Sequence, residues 1–263
     1  MKNSDMFEEL SNQLREALSV VLPTANLAQK LNLEDNESKE KIKEYIKIIS
    51  KSSYNMLRTI ENAADFKAIE ENKLEMDYVS CDVSVFCREL IAEIRESNKN
   101  KKVFLNFSEP LNTKISFIDV EKTERIILNI ISNSILNTKE GATIDISLEY
   151  ESSYWVLKVS DNGAAIDEGT SKKIFSENIR RDIESPRYFG GIGMGLAIAH
   201  NFARLQDGEL KVDFENENGC KFVLKMPYLQ NKNKSKGFNR IVPEFCDYNF
   251  EQRVLEELSY FEL

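Results

Sequence analysis

The sequence predicts an α+β fold in two parts: a long helical hairpin, then an α/β sandwich. Three observations carry this. Two N-terminal stretches repeat apolar residues in alternating steps of three and four. From residue 102 onward, short stretches of two-residue alternation are interleaved with helical ones. A glycine-rich run at 190–195 opens into a further apolar stretch that continues to Leu205.

In the first stretch the seam is Phe7, Leu10, Leu14, Ala17, Val21, Thr24, Ala28 and Leu31. That spacing suits a helix in a bundle. Pro23 interrupts it, and a proline inside a helix costs roughly 3 kcal/mol, so a kink is expected there. The polar run 32–39 reads as a turn. A second helix follows, with Ile42, Ile46, Ile49, Ser53, Met56, Ile60 and Ala63 as its seam, fading near Lys73. A lone hairpin has half a core, so pairing with a second copy into a dimeric four-helix bundle is the expected solution.

The composition changes after Leu74. Residues 83–95 read as an amphipathic helix, and 121–136 as a strongly helical, isoleucine-rich one. Strands are expected at 102–108, 143–150, 154–160, 209–214 and 220–226. Mixed strands with helices on one face make an α/β sandwich. After Pro227 the chain is polar and basic over 231–240, which reads as a linker. Phe250, Val254, Leu258 and Phe261 then space out a candidate docking helix, or a frayed tail. The division expected is 1–75, 76–228 and 229–263.

The net charge of −9 argues against a nucleic-acid-binding surface. No run approaches about 18 apolar residues, and the N-terminus lacks an apolar signal core, so a cytoplasmic protein is expected. Cys81, Cys87, Cys220 and Cys246 form no CxxC and read as reduced core thiols.

Three patterns carry chemistry. Asn129 and Asn133 lie four apart and share a helix face. A side-chain amide oxygen beside phosphates suits magnesium, while the same spacing also fits a solvated stripe. Asp161-Asn162-Gly163 ends a strand. A carboxylate there can accept an exocyclic amine and the glycine permits a tight turn beside a ring, but an ordinary turn reads the same way. Gly190, Gly191, Gly193 and Gly195 lead into a helix, where backbone N–H groups and the helix terminus favour phosphate.

Taken in order, these motifs resemble the histidine kinases and the wider ATPase superfamily shared with gyrase, a heat-shock chaperone and mismatch-repair proteins. Asn129-Ile-Ile-Ser-Asn133-Ser-Ile looks like the asparagine box, and Asp161-Asn-Gly163-Ala-Ala-Ile166 like the first glycine box. Ile174-Phe175-Ser-Glu-Asn-Ile-Arg180 resembles the phenylalanine box. Gly191-Ile-Gly193-Met194-Gly195-Leu196-Ala-Ile198 resembles the second glycine box, and Gly219-Cys-Lys-Phe222 through Pro227 the closing strand. The resemblance runs from about residue 5 to 227. It implies an ATP-binding domain of the histidine kinase/gyrase type, with a flexible lid at 176–189. It also implies ATP (or ADP) and Mg2+ as ligands. The nucleotide residues it implies are Asn129, Asn133, Asp161, Gly163, Ile166, Phe175, Gly191, Gly193, Met194, Gly195 and Leu196, with Asn133 at the metal.

The hairpin resembles the family's dimerisation and phosphotransfer region. Ser11-Asn12-Gln13-Leu14-Arg15-Glu16-Ala17-Leu18 stands where the family has its phosphoacceptor histidine and the acid beside it. Asn12 replaces the histidine and Gln13 the acid. An amide nitrogen is not a usable nucleophile, and Gln13 takes no proton near neutral pH. Leu136 and Asn137 stand where a lysine and an aromatic residue are usual, and Ala165 replaces a glycine. Both acceptor-site residues differ together, which is the pattern of a pseudokinase. His200, the only histidine, reads as a partly exposed helix residue; Tyr154 and Trp155 read as strand packing. Arg180, Arg181 and Arg187 fall in the expected lid.

The expected function is a histidine kinase-like signalling protein that binds ATP–Mg2+ without phosphorylating itself. It would be a homodimeric scaffold meeting a response regulator, another histidine kinase or a phosphotransfer protein. The alternatives are an active ATPase or kinase acting on a partner in trans, and an interaction module that binds no nucleotide.

Overall fold

Asp35 starts the second helix of the hairpin. Its carboxylate accepts the backbone N–H groups of Glu37 (3.4 Å) and Ser38 (3.0 Å), which leaves the chain free to reverse after α1. The computed structural model describes residues 3–32, 35–97, 103–163, 175, 195–213 and 219–229. Within them α1 (Asn3–Gln29) and α2 (Asn36–Glu70) form the hairpin. Helix α1 runs through Pro23 as one element. Its expected seam from Leu10 to Leu31 is half-buried along its length, and Asn12 is exposed.

The expected seam of α2 needs correction. Ile42, Ile49 and Met56 are half-buried and Ala63 is buried, but Ile46, Ser53 and Ile60 face outward. Ser52, Thr59, Asn62 and Phe66 are buried instead. The reason is that α2 packs on two surfaces. Its first half packs against α1, whereas its second half also reaches the sandwich, where Phe66 joins the main core.

The sandwich contains β1 (Tyr78–Asp82), α3 (Val83–Ser97), β2 (Phe104–Ser108), β3 (Ile115–Asp119), α4 (Val120–Asn137), β4 (Thr143–Tyr150), β5 (Tyr154–Asp161), α5 (Gly195–Leu205), β6 (Glu209–Asp213) and β7 (Lys221–Pro227). Five strands form one sheet in the order β2-β4-β5-β7-β6. The β2–β4 pair is parallel and the other pairs are antiparallel. Ile144, Ile146 and Leu148 on β4 alternate inward, as do Phe222, Leu224 and Met226 on β7. They meet Phe86, Leu90 and Ile94 of α3, Ile127 and Ile131 of α4, and Ile198 and Phe202 of α5 in one core. Trp155 is fully buried there, while Tyr154 lies under the Lys225 ammonium.

This is the α+β architecture that the sequence predicts. Two strands were not foreseen: β1 and β3 pair antiparallel as a separate two-stranded sheet. Each is five residues long and neither carries a clean alternation. The buried Cys81, Cys87 and Cys220 are free thiols; burial pushes Cys81 up to about 12 and the other two up as well. Cys246, the linker and the candidate docking helix lie outside the described residues. Among the described residues no helix is long and apolar enough to cross a membrane.

Candidate functional site

Strand β5 ends on Asp161, and its carboxylate is buried. One oxygen, Oδ1, accepts the backbone N–H of Gly163 (3.0 Å) and of Cys220 (3.3 Å). The Asp161 N–H donates to Cys220 O at 2.9 Å, which ties the end of β5 to the start of β7. The other oxygen, Oδ2, is buried and has no donor. Burial pushes this carboxyl above its ordinary range. The Ser134 hydroxyl and the two N–H groups pull it back. Ser134 Oγ is itself buried and stands outside hydrogen-bonding geometry. A buried carboxylate oxygen left without a donor costs about 1–3 kcal/mol or more. An external donor such as a ring amine would relieve that cost, so the carboxylate fits the nucleotide base the sequence implies.

Helix α4 lies alongside. Its Asn129, Asn133 and Asn137 form a ladder in which each Nδ2 donates to the carbonyl four residues earlier, at 2.8, 2.6 and 2.8 Å. The ladder fixes all three amides and sets their oxygens facing away from the helix's own carbonyls. Asn133 Oδ1 meets no donor among the described residues, so it remains available to a cation; this oxygen chemistry fits Mg2+. The last turn of α4 closes on the Asp161 turn. A Cβ on Gly163 would strike the Asn137 carbonyl. Gly219, at φ +106°, passes so close to the Asp161 carbonyl that only glycine fits.

Two expected ligand residues turn inward. The Asn129 Oδ1 accepts from Arg58 Nη2 of α2 at 3.3 Å, and Asn129 has no exposed surface. Leu196 belongs to the hydrophobic core. Gly195, the first residue of α5, sits directly against the Asn129 amide. Phe175 packs at the edge of the core and stacks on His200, with ring centroids 5.0 Å apart and planes 19° apart. Burial, then the nearby Arg204 charge, holds the His200 pKa below its ordinary value.

The structure therefore brings Asp161 and Gly163, at the end of β5, against Asn137 in the last turn of α4, one turn beyond Asn133, and sets Gly195 at the start of α5 against Asn129. Ile166, Gly191, Gly193, Met194, Ala165, the expected lid and its arginines lie outside the described residues. Asn12 and Gln13 lie on the hairpin, Asn12 exposed and Gln13 half-buried. Sequence reasoning missed Ser134 and Arg58. A hydroxyl directly after Asn133 in an isoleucine-rich helix was a usable signal for the first. Nothing in the local pattern of α2 distinguishes Arg58.

Residues 118–230 match the family described as Histidine kinase-, DNA gyrase B-, and HSP90-like ATPase. The chain is 25% identical over 260 residues to histidine kinase P4 of Formosa agariphila, an alignment covering 96% of this chain and 19% of that protein. The chain thus spans about a fifth of the length of this curated relative. Among solved structures, Acinetobacter baumannii histidine kinase AdeS superposes with a TM-score of 0.58 at 16% identity, over 82% of this chain and 98% of that one. Histidine kinase ThkA in complex with response regulator protein TrrA superposes with a TM-score of 0.61 at 22% identity, over 87% of this chain and 63% of that one. At these identities the superpositions show a shared fold. Residues 118–230 thus match the ATPase family named for histidine kinases, DNA gyrase B and HSP90, and over most of its length the chain is similar in sequence to a histidine kinase.

Proposed function

We propose that this chain is a cytoplasmic, histidine kinase-like signalling protein that binds ATP with Mg2+ but does not phosphorylate itself, and that it acts as a dimeric scaffold or regulator in two-component signal transduction. The observation that carries this is a contrast within one chain. Asp161 keeps a buried, donor-less oxygen at the base site, while the exposed acceptor position holds Asn12. In this reading residues 76–228 are the nucleotide-binding domain and 1–75 the dimerisation region.

Asp161 Oδ2 would accept the exocyclic amine of the base, while Oδ1 is held still by the Gly163 and Cys220 N–H groups. Asn133 Oδ1, its amide fixed by the Asn129 carbonyl, would hold Mg2+. The N-terminus of α5 favours phosphate charge. Bound ATP–Mg2+ would supply a transferable phosphoryl group. The Asn12 amide offers that group no nucleophile, and Gln13 cannot act as a base.

Dimerisation is supported by the apolar residues that the hairpin leaves uncovered: Leu22 is 60% exposed, Ile46 56% and Ile60 50%. A response regulator is the partner class favoured, because the ThkA chain was solved with one. Another histidine kinase or a phosphotransfer protein would meet the same hairpin. The available Asn133 oxygen also supports a second reading, in which the bound phosphoryl group passes to a histidine of a partner in trans.

The test is calorimetric titration with ATP–Mg2+, on the wild type and on Asp161→Ala, followed by incubation with γ-labelled ATP. Expected are Asp161-dependent binding and no acid-labile label on the chain. Accumulating label on the chain would overturn the pseudokinase reading. Label moving to an added phosphotransfer protein would favour the second reading. No binding at millimolar ATP would leave a scaffold without a nucleotide function.

A further inference from the structure

The hairpin and the sandwich are laced together by buried polar groups. Arg58 and Asp65 lie two turns apart on α2, and Arg125 and Asn129 one turn apart on α4. At one level Arg125 Nη1 pairs with Asp65, and its Nη2 donates to Asn62 Oδ1 at 2.8 Å. At the other level Arg58 Nη2 donates to Asn129 Oδ1 at 3.3 Å. The Asn129 Nδ2 in turn donates to Arg125 O at 2.8 Å, which joins the two levels. Arg58, Asn62, Arg125 and Asn129 are all buried, and Arg125 also lies 5.4 Å above the Phe202 ring of α5.

The upper lace ends at the nucleotide site. Gly195 begins α5, and its Cα faces the oxygen that Arg58 holds. A Cβ placed there would lie 3.4 Å from Arg58 Nη2. The guanidinium thus stands beside the first turn of α5, whose free N–H groups and positive dipole end attract phosphate. A full positive charge at the same spot acts in the same direction.

We propose that Arg58, a residue of the hairpin, completes the phosphate end of the nucleotide site by positioning Asn129 and the start of α5, so that docking of the hairpin and binding of the nucleotide favour each other. This rests on the nucleotide site proposed above. Lifting α2 away leaves the Asn129 oxygen without its donor and strips the Arg125 guanidinium of its counterion, both in a buried setting. The coupling is reciprocal: a nucleotide that prefers the docked arrangement must also stabilise it.

The experiment titrates the full chain with ATP–Mg2+ and, separately, with adenosine, for the wild type, Arg58→Ala and Arg58→Lys. Thermal melts first establish which variants fold. A positioning role at the phosphate end predicts that Arg58→Ala weakens ATP binding by about tenfold or more, as loss of a charged hydrogen bond does. Adenosine binding stays within about twofold, and Arg58→Lys recovers part of the ATP affinity because it keeps the charge. Amide exchange across residues 58–66 should slow on ATP binding in the wild type and not in Arg58→Ala.

Equal losses for ATP and adenosine, or no loss for either, would overturn the role. So would α2 exchange that ignores ATP. A wild type that binds neither ligand would bring down the nucleotide-site reading itself, and this one with it.

Discussion

Asp119 and Asp161 are the same residue in two similar places, each buried at a strand end, each with its carboxyl pushed above the ordinary range first of all by that burial. Asp119 caps α4. Its Oδ1 accepts Lys122 N–H at 3.0 Å and its Oδ2 accepts Asp77 N–H at 2.9 Å, so both oxygens are engaged within the protein. Asp161 engages one oxygen twice and leaves the other without a donor. The first arrangement is complete as it stands, and the second leaves one oxygen open, which is what the proposed nucleotide reading would fill. Hydrogen-bond accounting separates a structural carboxylate from a binding one where burial and pKa do not.

One substitution made at both positions tests that contrast. In Asp161→Asn an amide nitrogen takes the donor-less position and can no longer accept a base amine. ATP affinity is expected to fall by about 10- to 100-fold, the loss of one hydrogen bond to a charged group, measured by calorimetry. Stability without nucleotide should rise at neutral pH, since a buried charge has been removed. In Asp119→Asn an amide nitrogen instead meets the Asp77 or Lys122 N–H. That variant should lose about 1–3 kcal/mol by chemical denaturation, with ATP affinity unchanged in the folded protein. The comparison collapses if both variants lose stability equally.

The second test is smaller and uses pH. A raised carboxyl pKa means the folded state holds the proton after the unfolded state has released it. Stability is therefore highest below the ordinary value of 3.8 and declines as pH rises through the raised range. Each group contributes a slope of at most about 1.4 kcal/mol per pH unit. Denaturation of wild type and Asp161→Asn across that range should show a shallower decline in the variant, the remainder belonging to the other raised carboxyls, Asp119 and Glu89. Identical slopes would mean Asp161 does not titrate abnormally. The smallest effect is expected for Ser134→Ala. It removes a hydroxyl that draws the Asp161 carboxyl downward, so the Asp161 titration followed by NMR should move to higher pH. Its stability cost should be below about 1 kcal/mol, because that hydroxyl acts on the carboxylate from outside hydrogen-bonding geometry, so no formed bond is lost.

What was legible in the sequence follows the range of the forces involved. Helix α4, strands β4 and β5 and the hairpin are marked by local periodicity, and all stand within a few residues of expectation. Asp161 and Asn133 were visible because a turn motif and an i, i+4 amide pair are local too. The outward turn of Ile46, Ser53 and Ile60 was not visible, because it depends on α2 meeting a second surface. Leu196 carries a motif position, yet its side chain goes where the core needs volume. The bond from Arg58 to Asn129 spans 71 residues and leaves no trace in either local pattern.

The bond from Cys220 N–H to the Asp161 carboxylate spans 59 residues, and it bears on when the pocket comes into being during folding. The β4–β5 hairpin has a short connection and can form early, as local pairings do. It delivers Asp161 to the right place with only the Gly163 N–H to orient it. The carboxylate is locked only when β7 returns to β5, after the intervening chain has paid its closure entropy. A chain emerging from the ribosome therefore acquires its sheet in stages but the locked carboxylate of its proposed nucleotide site in one late step.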